Sequence, residues 1–198
     1  MRAARNVTST SAILALILAI GIAAQAQQAA APKAPPRPGL TVTSPAFEDG
    51  GIIPNRYTQA DPKPVSPRLE WTNVPDGTVS FALIMHDPDV ARQRTTEDVL
   101  HWLIFNIPGT ARFLPEGVPP TPQLPDGTVQ AKNVADMGYR GPGAPAQGPH
   151  HHYTFELFAL DIKLDLGSDA TREDVLKAMN GHILGKGVVV GRFVRPKS

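Results

Sequence analysis

The sequence predicts a mainly β fold with long connections and one short helix near the C-terminus, and three observations carry that expectation. Proline and glycine are abundant, 21 and 17 of 198 residues, so the apolar runs between them are strand-length. Leu40 to Ser44 and Arg68 to Thr72 alternate apolar and polar residues with the period of two that a half-buried strand requires. Helical spacing occurs only once, where Val175, Leu176, Met179 and Ile183 follow Thr171, a hydroxyl cap with Asp174 three residues on.

Taken in order, the chain opens with Arg2 and Arg5, then the uncharged run Ser11 to Ala24 ending in Ala24-Gln25-Ala26. This is the layout of a secretory signal peptide, residues 1–26, with cleavage after Ala26. The apolar core is shorter than the roughly 18 to 20 residues that span a bilayer, and no cysteine follows it to carry a lipid. Residues 27–39 are Gln, Ala and Pro with two basic residues, a composition that cannot bury a core and predicts a flexible tether. The folded domain is expected over residues 40–198, in the periplasm or secreted. Its length suits one domain with a real core. The net charge of +1 and the lack of a basic stripe argue against nucleic acid as a partner. With no cysteine in the chain, disulfides, thiol catalysis and thiolate metal ligands are excluded.

Leu40 to Ser44 is the opening strand, and Leu69 and Trp71 share the buried face of the next. Asn73 to Thr78 is a turn built on Pro75-Asp76-Gly77. Gly181, Gly185 and Gly187 are expected to limit the helix, after which Val188 to Val194 closes the sheet. A long exposed edge would make a homodimer plausible.

Three runs between Ser80 and Asp161 bring chemistry together. Phe81 to Met85 is apolar and stops at His86-Asp87-Pro88-Asp89; His101 opens a second apolar run to Ile107; His151-His152-Tyr153 opens a third. In neighbouring antiparallel strands, the acidic end of the first meets the histidine starts of the others. Alternation places Asp87 with Phe81, Leu83 and Met85, His101 with Leu103 and Phe105, and His151 with Tyr153. The segment Gly138 to Pro149 is too rich in Gly and Pro for regular structure and is expected to offer backbone N–H groups to a ligand. Asp87, Asp89, His101, His151 and Tyr153 are therefore candidates for binding a small anion: imidazolium and N–H groups donate to its oxygens while an Asp orients a His.

These motifs resemble the phosphatidylethanolamine-binding proteins, in particular their bacterial Raf kinase inhibitor-like branch. The matching pieces are Asp87-Pro88-Asp89, His101-Trp102 with Asn106-Ile107-Pro108, Gly138-Tyr139-Arg140-Gly141-Pro142, and His151-His152-Tyr153, with Val190-Gly191-Arg192-Phe193 near the end. The resemblance implies an antiparallel, Greek-key-like β-sandwich with an anion pocket, to which Asp87, His101, Gly141, Pro142, His151 and Tyr153 map. It departs at Val90-Ala91, where the family has Ala-Pro, at His152, where Arg is usual, and at Gly143-Ala144, which is expected to loosen a proline-rich wall. The expected function is binding of a small anionic ligand or phospholipid head group, without cofactor or metal. A protein-interaction or inhibitor module with a vestigial pocket is the alternative. A metal-dependent hydrolase ranks third, because neither HExxH nor GxSxG occurs.

Overall fold

The structure, a computed structural model, describes residues 38–90 and 94–197. The signal segment, nearly all of the tether, and Ala91 lie outside the described residues. Eight strands and one α-helix follow in order: β1 (Thr41–Thr43), β2 (Leu69–Thr72), β3 (Ser80–Asp87), β4 (Val99–Pro108), β5 (Phe113–Leu114), β6 (Val129–Ala131), β7 (His151–Leu160), α1 (Arg172–Met179) and β8 (Ile183–Phe193). They form two antiparallel sheets, a small one ordered β1-β2-β5 and a larger one ordered β6-β4-β3-β7-β8. After the β3–β4 hairpin, the chain makes two short strands before β7 returns beside β3, the long-range step of a Greek key.

The larger sheet is covered on both faces. Phe81, Leu83 and Met85 of β3 pack with Trp71, Phe155 and Val189 in the core between the sheets. Ala82 and Ile84 point the other way and join Leu103, Phe105, Val175 and Met179 under α1. Burial on both sides explains why β3 and β4 read as continuous apolar runs while β1 and β2 alternate.

Two bulges in β4 break the simple alternation. Phe81 pairs with Ile107 and Leu83 with Ile104, so two residues of β4 oppose one of β3, and Asn106 takes φ 57° to absorb the extra residue. Its amide donates to the Leu164 carbonyl at 2.9 Å and its Oδ1 accepts from the Leu164 N–H at 2.8 Å, fastening the 161–170 segment over the second core. Ile107 is thereby returned to the inter-sheet core.

The helix carries the expected capping box, Thr171 with Asp174. Val175 and Met179 are buried, whereas Leu176 is 43% exposed. Ile183 belongs to β8 rather than α1, and Gly185 and Gly187 are strand residues rather than helix stops. A Cβ at Gly187 would lie 2.7 Å from the Leu40 carbonyl oxygen, so glycine lets β1 rest against β8. The outer edge of β8 is paired near its end, where Arg192 and Gly51 to Ile53 exchange backbone hydrogen bonds.

Candidate functional site

With β3 lying between β4 and β7, Asp87 at the end of β3, His101 near the start of β4 and His151 at the start of β7 gather at one end of the large sheet. They line a cleft of about 300 Å³ together with Tyr153. Asp87 is 3% exposed and His101 3%, so their polar atoms depend on one another and on the loops around them.

Asp87 serves two neighbours. Its Oδ1 accepts the Asp89 N–H at 3.0 Å, closing the Asp87-Pro88-Asp89 turn, and its Oδ2 lies 2.8 Å from Nδ1 of His151. With Nδ1 turned to the carboxylate, Nε2 is the His151 nitrogen left for a ligand. Nδ1 of His101 is 2.9 Å from the Arg140 carbonyl, which can only accept; Nδ1 therefore carries the proton, and Nε2 holds a lone pair while the ring is neutral. Burial pushes the His101 pKa below the ordinary histidine value, outweighing the pull of the Arg140 carbonyl and of Asp87. An imidazolium at His101, as expected for anion binding, would therefore form together with the bound anion.

The parity assigned to His101 is corrected as well. Met85 pairs with Trp102 but His86 with Leu100, so His101 is the extra residue of a second bulge. Leu103 and Phe105 face α1, yet the His101 ring stands edge-on to Tyr153 with centroids 5.1 Å apart. Without the bulge the imidazole would enter the second core.

Tyr153 Oη accepts the N–H groups of Gly143 at 3.1 Å and Ala144 at 3.0 Å. These two amides of the Gly/Pro-rich segment are thus committed within the protein, not held out to a ligand. Burial, and next the Asp87 charge, raise the phenol to about 12, so it stays protonated. Gly141 and Pro142 do not line the cleft. They form the layer behind it: their carbonyls accept from the Gln59 side chain and backbone N–H, both at 2.8 Å, and a Cβ at Gly141 would meet the Tyr57 carbonyl oxygen at 2.8 Å. The Gly143-Ala144 wall is tight rather than loose, since a Cβ at Gly143 would lie 2.5 Å from Gln59 Nε2. Asp89 does not line the cleft either; its carboxylate accepts the His152 N–H at 2.6 Å and faces the His152 Nδ1 at 2.9 Å. Burial opposes ionisation of Asp89, but those contacts win and lower its pKa.

Sequence reasoning missed Arg140, Gln59 and Val134, which also line the cleft. Arg140 was legible as a cation inside the Gly138-to-Pro142 motif; Gln59 carried no signal, because its role arises from contacts 82 residues away. Among the described residues, Arg140 makes no ion pair with a carboxylate. No group of three or more His, Asp or Glu side chains among them is arranged to hold a metal ion.

On the opposite face of β3, His86 lies 2.5 Å from Asp98 through Nδ1 and 3.6 Å from Glu156 through Nε2. Arg172 pairs with Asp98, and Lys186 with Glu156 at 2.5 Å. This network fastens the far end of the 88–98 loop to α1 and β7.

Comparison with known proteins places the geometry in context. Residues 43–194 match the family model described as phosphatidylethanolamine-binding protein. The chain is 47% identical over 151 residues to a UPF0098 protein of Methanothermobacter thermautotrophicus, covering 76% of this chain and 95% of that one. Among solved structures, Escherichia coli YbcL, described as a new member of the mammalian PEBP family, superposes with a TM-score of 0.70 at 28% identity, over 81% of this chain and all of that one. A putative phosphatidylethanolamine-binding protein homologue of Chlamydia trachomatis gives 0.69 at 32% identity, over 78% and 97%.

Proposed function

Since the chain belongs to the phosphatidylethanolamine-binding protein family, we propose that it is an exported binding protein whose cleft takes one phosphoryl or carboxylate group, including that of a phospholipid head group. One observation carries the reading: two imidazoles have Nδ1 committed to protein acceptors and Nε2 left over, in a cleft that the Arg140 guanidinium also lines. Fixed by the hydrogen bonds behind them, these Nε2 atoms donate to an anion's oxygens when the imidazole takes up a proton with the ligand, or accept from a ligand hydroxyl when it does not, beside a guanidinium that has no carboxylate partner among the described residues. The phenol of Tyr153 and the carboxylate of Asp87, which also line the cleft, hold its wall and His151. Export to the periplasm or beyond rests on the Arg2-to-Ala26 pattern.

Calorimetric titration with inorganic phosphate and with acetate tests the cleft, against Arg140→Ala and His151→Ala. Saturable binding lost in both variants is expected. Wild-type protein that binds neither anion would remove this reading and leave a protein-interaction module in its place. Mass analysis of protein from the cell envelope should give a chain beginning at Gln27; an uncleaved chain would defeat that part.

A further inference from the structure

His101 reaches the cleft through the bulge at the start of β4, and the sheet braces that start on one side. β6 pairs with Leu103 to Phe105, so Val99 to Trp102 have β3 as their strand partner among the described residues. On the other side the Leu100 and His101 carbonyls accept the N–H groups of Val134 at 3.4 Å and Arg140 at 3.0 Å. The bulge lies between the pairs Met85–Trp102 and His86–Leu100. His86 therefore sits at the step in register. Its side chain is on the face away from the cleft, whereas Asp87, the next residue, turns its carboxylate to His151.

Two carboxylates close on the His86 imidazole. Nδ1 is 2.5 Å from Asp98, the residue before β4, and Nε2 is 3.6 Å from Glu156 of β7. The three side chains are 12%, 18% and 18% exposed, so water does little to replace a lost partner. Each acid also has a cation from a further element, Arg172 of α1 on Asp98 and Lys186 of β8 on Glu156 at 2.5 Å. When His86 is protonated, five charges alternate in sign from α1 to β8. A neutral imidazole has one N–H for two acceptors: with the proton on Nδ1 a lone pair faces Glu156, and with the proton on Nε2 a lone pair faces Asp98. Only the imidazolium suits both. Burial is the largest influence on the His86 pKa and lowers it, but Glu156 and Asp98 outweigh burial and the opposing charge of Arg172, and the pKa ends above the ordinary 6.5.

We propose that His86 is a proton-operated clamp on the start of β4, a positioning residue that sets how His101 stands in the cleft. Protonated, it ties Asp98 to Glu156 and holds the bulge in register. Once it loses its proton, one of the two contacts is given up, and a strand start braced by β3 alone is freed to shift, carrying the His101 ring and its bond to Arg140. The sign follows from linkage: a raised histidine pKa contributes stability that is present below the unfolded value of 6.5 and lost as pH rises through the folded one. The lowered pKa of His101 puts its own titration on the acid side of 6.5, so the two histidines act in different pH ranges. The clamp concerns the geometry of the cleft and is independent of which ligand the cleft takes.

The test follows the Arg140 amide, whose hydrogen bond to the His101 carbonyl reports whether the start of β4 is seated. Its hydrogen exchange in the full chain is measured between about pH 5.5 and 8.5 and corrected for the intrinsic pH dependence, while NMR of the His86 ring gives its titration. Protection should fall about tenfold as His86 titrates, the low end for losing one charge-assisted hydrogen bond. The Trp71 amide, which donates to the Arg112 carbonyl beside the small sheet, should show no such step. In His86→Gln, which does not titrate, the step at Arg140 should vanish. In Glu156→Gln, which removes one of the two carboxylates, it should move to lower pH, and this variant carries the test if His86→Gln does not fold. A His86 ring that titrates at or below 6.5, flat protection at Arg140 in the parent, a step that survives His86→Gln, or one that stays in place in Glu156→Gln would each overturn the clamp. None of these results bears on the anion reading, which the phosphate and acetate titrations decide separately.

Discussion

The state of His101 makes a prediction that separates classes of anion. In the free protein its Nδ1 proton is held by the Arg140 carbonyl and burial keeps its pKa below the usual value, so at neutral pH Nε2 can only accept. A phosphomonoester still carrying a hydroxyl proton can donate to that lone pair, and its binding needs no proton from solvent. A phosphodiester or a carboxylate has none to donate, and His101 must be protonated as it binds. The bound anion then raises the His101 pKa, and between the free and bound values affinity falls as pH rises, by up to tenfold per unit for one linked proton. Losing the charge-assisted hydrogen bond in His101→Ala costs about 1.5 to 3 kcal/mol, roughly ten- to a hundredfold in affinity. Calorimetry with acetate, a dialkyl phosphate and a monoalkyl phosphate between about pH 5.5 and 8, in two buffers of different ionisation enthalpy, reads both the slope and the proton uptake. The reasoning fails if the dialkyl phosphate binds without pH dependence, or if its slope persists in His101→Ala.

Other predictions concern the frame. Asn106→Ala removes two buried bonds to Leu164 and puts a Cβ-bearing residue without a local side-chain bond at φ 57°; a loss of about 3 kcal/mol or more is expected in urea denaturation, with Asn106→Gly measurably milder. Gly143→Ala would drive a methyl into Gln59, which is pinned to Gly141 and Arg195; about 1 to 3 kcal/mol should be lost and largely restored when Gln59→Ala is added, and no restoration would refute the clash. Glu156 is depressed from 4.5 to about 2, first by His86 and also by Lys186 against the opposing effect of burial. A lowered carboxylate pKa adds stability above the unfolded value that is lost as pH falls through the folded one. Glu156→Gln should therefore flatten the stability profile between pH 4.5 and about 2; an unchanged acid limb would contradict it.

What the sequence made legible followed from period and punctuation. Leu69 with Trp71 and the Thr171–Asp174 box were readable because each signal is local, and Asp87, His101 and His151 because antiparallel neighbours bring strand ends and starts together. The bulge at His101 was not readable: it depends on how β4 meets β3, and an extra residue leaves no mark on an apolar run. Gly185 and Gly187 were misread because helix stops and close strand contacts call for the same residue. Gly141 and Pro142, assigned to the pocket by resemblance, support it from behind, since only coordinates distinguish a lining residue from one a layer deeper.

The position of β8 has a consequence for how the domain comes into being. The last strand supplies Val189 and Phe193 to the inter-sheet core and also pairs with Gly51 to Ile53, close to the domain's beginning. The earliest and latest parts of the domain thus complete one another, across loop closures that are entropically unfavourable before any contact repays them. A chain emerging from the ribosome cannot finish this core until β8 has left the exit tunnel. The domain should stay unfolded until then, open to chaperones, and then fold as a single unit.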